Sequence, residues 1–314
     1  MKFIERKWII DKIVETLRIL SVHKLVKPVF NFYYQFFYRN IIKENIVLKN
    51  KNVGERCFII GNGVSINNLD ILSLNNSFTI CCNEIYKYHL FKDLNPKVHI
   101  IVEPFYGRLF GKKYYKETYN LYSGLYKKSK KKNCLFFFHI SLKDFFSKNK
   151  LFQDKKVFYV NTYKDNFKKK SNLASKFYFG DGALSFMMGL SKYMGFKQIV
   201  LLGCGYSFDP RQEYHCYSRH VFKKNKYSGS SLEKKIKKIK HNSNSKMKLY
   251  EIEENDKYYM PVFTTNYQED RTHNRHMKLN SYLKKNGIEV LNLLPSNRYK
   301  SPVFKKIYLQ DLFQ

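Results

Sequence analysis

From residue 56 onward, short apolar runs alternate along this chain with longer stretches whose apolar residues recur at helical spacing. The runs fall at 57–60, 78–82, 98–102, 134–139, 157–160, 199–202 and 288–293. They are rich in β-branched and aromatic side chains and show no polar alternation, the mark of strands covered on both faces. Between them, 108–131, 183–195 and 275–286 read as helices. Strands alternating with helices predict an α/β fold, a single Rossmann-like domain built on a mostly parallel sheet. Residues 183–194 are small, apolar and Met-rich and run into Gly195-Phe196 and a strand. That pattern is a buried crossover helix closed by a glycine C-cap.

Two regions depart from this rhythm. Residues 1–50 form a basic, aromatic helical extension in which Ile9, Ile13, Leu17 and Leu20 repeat at helical spacing. An aromatic run at 29–38 follows, bracketed by Lys24, Lys27, Arg39 and Lys43. Aromatics flanked by cations suit the headgroup zone of a bilayer; a helical hairpin packed on the domain accounts for them equally well. The uncharged stretch at 28–38 is too short to span a membrane, which needs about 20 residues. A polar linker at 49–52 leads into the main domain at 51–314. Within that domain, about 206–270 is polar, Tyr-rich and poorly patterned, as expected of a lid insertion.

The charge bounds the partner class. Against 58 Lys+Arg stand 25 Asp+Glu, a formal net charge of +33. A field of this sign favours polyanions such as anionic lipid, acidic glycolipid or nucleic acid. Lys-rich runs lie at 127–132 and 234–240, but no Gly-flanked aromatic RNA-binding signature or helix-turn-helix accompanies them, so no specific nucleic-acid partner is expected. Six cysteines at 57, 81, 82, 134, 204 and 216 form no Cys-x-x-Cys pair. Free thiols in a reducing compartment are expected, hence the cytoplasm, and no zinc site.

The strongest local signal for chemistry is Gly61-Asn62-Gly63-Val64-Ser65, directly after the first strand. The glycines permit positive φ and close approach of a ligand, and Ser65 can cap a following helix whose N-terminus would attract an anion. The turn lacks both the Walker and the dinucleotide fingerprints. The second strand ends at Asn83, the third at Glu103-Pro104, and a later one at Gly203 followed by Tyr206 and Ser207. Ligands of open α/β sheets bind at that carboxyl edge.

The motifs Gly61-Asn-Gly-Val-Ser65, Cys82-Asn-Glu-Ile-Tyr86, Met194-Gly-Phe-Lys-Gln-Ile-Val-Leu-Leu-Gly203 and Glu289-Val-Leu-Asn-Leu-Leu-Pro-Ser-Asn297 together resemble the bacterial lipooligosaccharide sialyltransferases of glycosyltransferase family 42. They also resemble a related group of 6-hydroxymethylpterin diphosphokinase-like proteins. The resemblance covers about residues 55–310 and lies in the order of the motifs. It implies a GT-A-like variant fold and a metal-independent transferase using a CMP-activated sialic acid or related 2-keto sugar, with no cofactor beyond that donor. It places the nucleotide on Gly61, Asn62, Gly63, Ser65 and Asn83, with Gly203 at the facing strand end and Glu103 at the donor. Tyr206 or Ser207, with Tyr214, would assist the leaving phosphate. His273 or His276 would be the base, His273 being the preferred candidate, with Asp270 in competition. Val64 stands where the family has Pro, and Gly205 where it has Asp.

The chemistry is consistent on its own terms. A CMP-sugar leaves as a phosphate monoester, whose charge needs hydrogen-bond donors rather than a divalent ion. No Asp-x-Asp occurs in the chain. The acceptor hydroxyl needs a base near neutral pH, and histidine is the natural choice. The expected setting is lipopolysaccharide or capsule biosynthesis, peripheral to the inner membrane on its cytoplasmic side, with a lipid-linked or oligosaccharide acceptor and an oligomer allowed. Two other readings compete. One is a Mg²⁺-dependent diphosphokinase on a pterin-like substrate, for which Glu103, Asp181 and Asp209 are the available acids; the other is a non-enzymatic module binding membranes or polyanions.

Overall fold

A computed structural model describes residues 32–104, 111–129, 133–180, 182–204, 216, 248–252, 258–262, 266–295 and 301–312. Eight strands form one sheet: β1 (Arg56–Ile60), β2 (Thr79–Cys82), β3 (Val98–Ile101), β4 (Leu135–His139), β5 (Val157–Val160), β6 (Gln198–Leu202), β9 (Glu289–Leu293) and β10 (Lys305–Ile307). Their order is β10-β9-β6-β1-β2-β3-β4-β5, and every pairing is parallel. Two further strands among the described residues, β7 (Lys248–Ile252) and β8 (Tyr258–Val262), pair antiparallel with each other within the segment expected to be a lid. The architecture is the expected Rossmann-like α/β sheet. β10 was not anticipated, because three residues with two lysines carry no strand pattern; it forms on the edge offered by β9.

Alternate residues of each strand enter different cores, as the two-residue period of a strand requires. Phe58, Ile60, Cys81, Phe136, Phe138, Val200 and Leu202 face one side. Cys57, Ile59, Ile80, Cys82, Phe137, Ile199 and Leu201 face the other. Helices α2 (Gly111–Lys128) and α3 (Lys143–Lys148) cover the first side. Helices α4 (Ala183–Met194) and α5 (Asn266–Lys285) cover the second. The last helix thus starts at Asn266 rather than 275, because its polar first turns hide the helical period. Between β1 and β2, and between β2 and β3, the described crossovers are not α-helices. They are 3-10 turns whose Ile66, Ile71, Leu74 and Phe91 fill the core instead.

Helix α4 ends as its sequence predicts. Gly195 adopts φ +96°, its N–H donates to Lys192 O, and Phe196 N–H donates to Ser191 O at 3.1 Å, a Schellman closure. The polar stretch at 49–54 is docked there. Asn50, Asn52 and Gly54 donate their N–H groups to the carbonyls of Tyr193, Met194 and Gly195, satisfying acceptors that a helix end leaves open.

The described part of the aromatic segment packs on the domain along one side. Residues 32–37 are helical and are followed by α1 (Arg39–Lys43). Tyr33, Tyr34, Tyr38 and Ile42 are buried against Ile140 and Tyr159, while Phe32 and Phe36 are exposed. The Tyr38 hydroxyl donates to Asp144 at 3.0 Å, and buried Asn45 donates its amide to the carbonyls of Tyr159 and Leu173. The segment thereby covers β5, the edge of the sheet, which would otherwise present unpaired backbone groups.

Gly189, inside α4, allows a test of this packing. An alanine Cβ there would stand 2.4–2.8 Å from three atoms of Phe179. Glycine to alanine ordinarily stabilises a helix interior by about 1 kcal/mol, whereas overpacking a core costs about 1–3 kcal/mol. Gly189→Ala is therefore expected to lower the urea midpoint rather than raise it.

Candidate functional site

Strand β1 lies between β2 and β6, so the connections leave it in opposite directions, toward β2-β3-β4-β5 on one side and β6-β9-β10 on the other. This is the topological switch point at which open α/β sheets bind ligands. A crevice of about 240 Å³ opens there. Its floor is made of strand ends: Gly61 and Asn62 after β1, Cys82 and Asn83 at the end of β2, and Gly203 and Cys204 after β6. Ala183, Leu184 and Met187 of α4 form one wall, and Thr272 and His276 of α5 another.

The glycines act differently from expectation. Neither Gly61 nor Gly63 has positive φ. A Cβ on either would come within 2.6 Å of the Gly203 carbonyl oxygen. Gly203 itself has φ +63°, and a Cβ there would meet Ile66 Cγ2 at 2.5 Å. Two backbone bonds close the seam: Gly61 N–H donates to Leu202 O at 2.7 Å and Gly63 N–H to Gly203 O at 2.9 Å. The three glycines thus bring the ends of β1 and β6 together, rather than clearing space for a ligand against the turn. Gly63→Ala is expected to destabilise the protein by about 1–3 kcal/mol, as overpacking against rigid backbone does, measured by urea denaturation.

Ser65 also departs from its expected role. It lies within a 3-10 turn, Val64–Asn68, and caps no helix; its hydroxyl is buried without a hydrogen-bond partner. That turn is too short to build a macrodipole. The helix whose first turn reaches the crevice is α4, twelve residues long. The first N–H groups of an α-helix lack intrahelical acceptors and favour an anion. Residues Gly180-Asp181-Gly182 before it were the available signal, because glycines opening an apolar helix bring backbone close to whatever lies at its start.

Asn62 and Asn83 meet at the crevice. The Asn62 carbonyl accepts from Cys216 N–H at 2.9 Å, while its side-chain oxygen is buried without a partner. Asn83 adopts φ +51°, a left-handed conformation that asparagine tolerates better than most residues. Its carbonyl accepts from His99 Nε2–H at 2.8 Å. His99 is fully buried on β3 between Phe91 and Phe136, and burial pushes its pKa down to about 4. The imidazole is therefore neutral, and the carbonyl it serves requires the proton on Nε2. His99 lies 16 residues from Asn83, on the next strand, so no local motif marks the link between them.

Of the candidate bases, His276 lines the crevice. It is 7% exposed, and burial, with Arg275 and His273 nearby, lowers its pKa to about 4. His273 lies one turn earlier, half-buried and not among the lining residues. Asp270 stands in α5, with its side chain outside the described residues. Tyr206, Ser207 and Tyr214 also lie outside them, as do Asp181 and Asp209. Glu103 is exposed beyond β3, where its charge adds to burial in raising the hydroxyl pKa of Tyr114 and Tyr122. Burial likewise pushes the Cys204 thiol up to about 12 and raises that of Cys82, so both line the crevice as neutral thiols. All six cysteines are free. Among the described residues, no helix is long and apolar enough to cross a membrane.

The two lowered histidines set a pH dependence. Between about pH 4 and pH 6.5 the unfolded chain binds protons that His99 and His276 refuse in the fold. Their stabilisation is complete above the unfolded pKa and is lost as pH falls through this window, by about 1.4 kcal/mol per pH unit per histidine at full slope. His99→Gln keeps a donor for Asn83 and removes one titration. Denaturation at about pH 7.5 and 5 is expected to show a drop roughly 2 kcal/mol smaller in this variant than in the wild type.

Among solved structures, the chain is similar to the MAf glycosyltransferase from Magnetospirillum magneticum AMB-1, at 11% identity with a TM-score of 0.44. The match covers 88% of this chain, which spans 39% of that one. A likeness of this degree carries no argument about activity. No family model matches the chain, and no curated protein does.

Proposed function

We propose that the protein is a glycosyltransferase whose crevice holds the nucleotide of a CMP-activated sugar, a sialic acid or related 2-keto sugar. The observation that carries this reading is the convergence of Asn62, Asn83 and His276 on one crevice at the switch point. The motif order shared with family 42 is its second support. A buried amide oxygen without a donor costs about 1–3 kcal/mol, and the Asn62 oxygen is such a group. Ribose hydroxyls and the cytosine amine are donors that would relieve it. The start of α4 offers free N–H groups to the phosphate. A crevice of about 240 Å³ is smaller than the roughly 300–1,000 Å³ of small-molecule sites, so the sugar and the acceptor belong outside these walls.

In the reaction, the acceptor oxygen attacks the anomeric carbon, the bond from that carbon to the phosphate oxygen breaks, and CMP leaves with the electron pair. The acceptor proton passes to a base. Of the two histidines considered, His276 is the better placed, since it faces the crevice. With a pKa of about 4 it is neutral and able to accept a proton, though only a weak base. A bound phosphate would favour the imidazolium and raise that pKa, so substrate binding itself would prepare the base. Tyr206 or Ser207, with Tyr214, would donate to the leaving phosphate, and no metal would take part.

The test is to incubate the protein with a panel of nucleotide sugars in EDTA and identify the nucleotide released. CMP is the expected product. Asn62→Ala and Asn83→Ala should each weaken CMP binding by about tenfold, the loss of one or two hydrogen bonds. His276→Gln should lower turnover by about 10²–10⁴-fold, the contribution of a general base, with CMP affinity kept. Full turnover in His276→Gln would remove it from this role, and release that requires Mg²⁺ would overturn the metal-independent reading.

A further inference from the structure

A second cleft, of about 640 Å³, opens on the N-terminal segment, away from the crevice residues. Phe32, Phe36, Arg39 and Lys43 line it, spaced at i, i+4, i+7 and i+11 along one side of a helical path. The other side, with Tyr34, Tyr38 and Ile42, is buried in the domain. The rings of Phe32 and Phe36 stack at 6.3 Å, and the two side chains are 73% and 66% exposed. Ile46 and Val47 follow at 51% and 63%. Seven large hydrophobic side chains are exposed among the described residues, and four of them fall within residues 32–47. Phe32, Phe36 and Ile46 line the one cleft and Val47 follows Ile46 in the chain, so the exposure is concentrated here rather than scattered as on an ordinary surface.

Charge decides what covers it. The chain's own residues 1–31 carry seven Lys or Arg and three Asp or Glu, so seating them here would set cations against Arg39 and Lys43. A second copy would bring its net charge of +33 to the same face. The complementary partner is anionic and also has a hydrocarbon layer, since the aliphatic Ile46 and Val47 would contribute nothing to phosphates or bases. We propose that this face docks on a bilayer containing anionic lipid. The stacked phenylalanines and the aliphatic pair enter the acyl boundary, and Arg39 and Lys43 meet the headgroups. On the buried side of the segment Tyr34 packs on His139, the last residue of β4, so the segment that carries the docking face is anchored at the carboxyl edge of the sheet. The proposal is independent of the glycosyl-transfer reading.

The test is co-sedimentation of the full chain with vesicles of phosphatidylcholine containing about one quarter phosphatidylglycerol, compared with phosphatidylcholine alone. Because so basic a protein attracts any anionic surface, the control is a matched charge reversal elsewhere. Lys305 and Lys306 are exposed on β10, the opposite edge of the sheet, about seven strand spacings or roughly 34 Å away. Arg39→Glu/Lys43→Glu should reduce partitioning by about tenfold or more, and Lys305→Glu/Lys306→Glu by less than about twofold. Phe32→Ser/Phe36→Ser should abolish the fraction that stays bound at about 0.5 M salt, where screened charges no longer hold it. All these positions are exposed, so melting should match the wild type and separate lost docking from lost folding. Equal losses from both charge reversals would overturn the proposal, as would wild-type binding by the phenylalanine variant. It would also fail if the phenylalanine variant left vesicle binding intact but changed the oligomeric state, or made residues 1–31 sensitive to protease. The face would then belong to a second copy or to the chain's own N-terminus.

Discussion

The architecture of the site depends on the distance between two backbones. β1 and β6 leave the sheet side by side, and their ends can approach as closely as they do because Gly61, Gly63 and Gly203 carry no side chain. The hydrogen bonds across this seam fix where Asn62 sits. They also fix where the chain leaves β6. A methyl group at any of these positions would spread the strand ends, and the crevice floor would spread with them. The close approach is a packing constraint first, and its consequence for the site follows from what the seam carries on either side.

In and beside the crevice the fold sustains several unfavourable local states. Asn83 is held left-handed, with its carbonyl tied to the neutral imidazole of His99. The Asn62 oxygen and the Ser65 hydroxyl are buried without partners. His276 is kept from charging by burial, with Arg275 and His273 beside it. Each costs stability on its own, and the aromatic and aliphatic cores on both faces of the sheet offset them. A site held rigidly before a ligand arrives loses little entropy when one binds.

The far edge of the sheet solves a separate problem. β5 would expose unpaired backbone groups, and the N-terminal segment covers it with Asn45 and the buried tyrosines. The same short segment presents phenylalanines and cations outward. One face of its helical path is structural and the other is available for contact, a division of labour set by helical periodicity.

The sequence by itself determined seven of the eight strands of the sheet, its parallel class and the glycine end of α4. These follow from short-range rules: two-sided burial makes continuous apolar runs, and Gly195 is the residue that most readily takes a left-handed closing turn. It also marked the turn after β1 and Asn83 as exceptional. What those residues do was decided by the tertiary structure. Gly61 and Gly63 answer to Gly203, 142 and 140 residues further on, and no local pattern records so distant a partner. Ser65 looked like a cap, but apolar Ile66, Ile71 and Leu74 drew the following segment into 3-10 turns against the core. His276 rather than His273 reaches the crevice, a matter of helical phase that depends on where α5 begins and against which strands it lies. Periodicity is local and can be read along the chain, whereas the convergence of side chains from separate strand ends exists only once the sheet has ordered them.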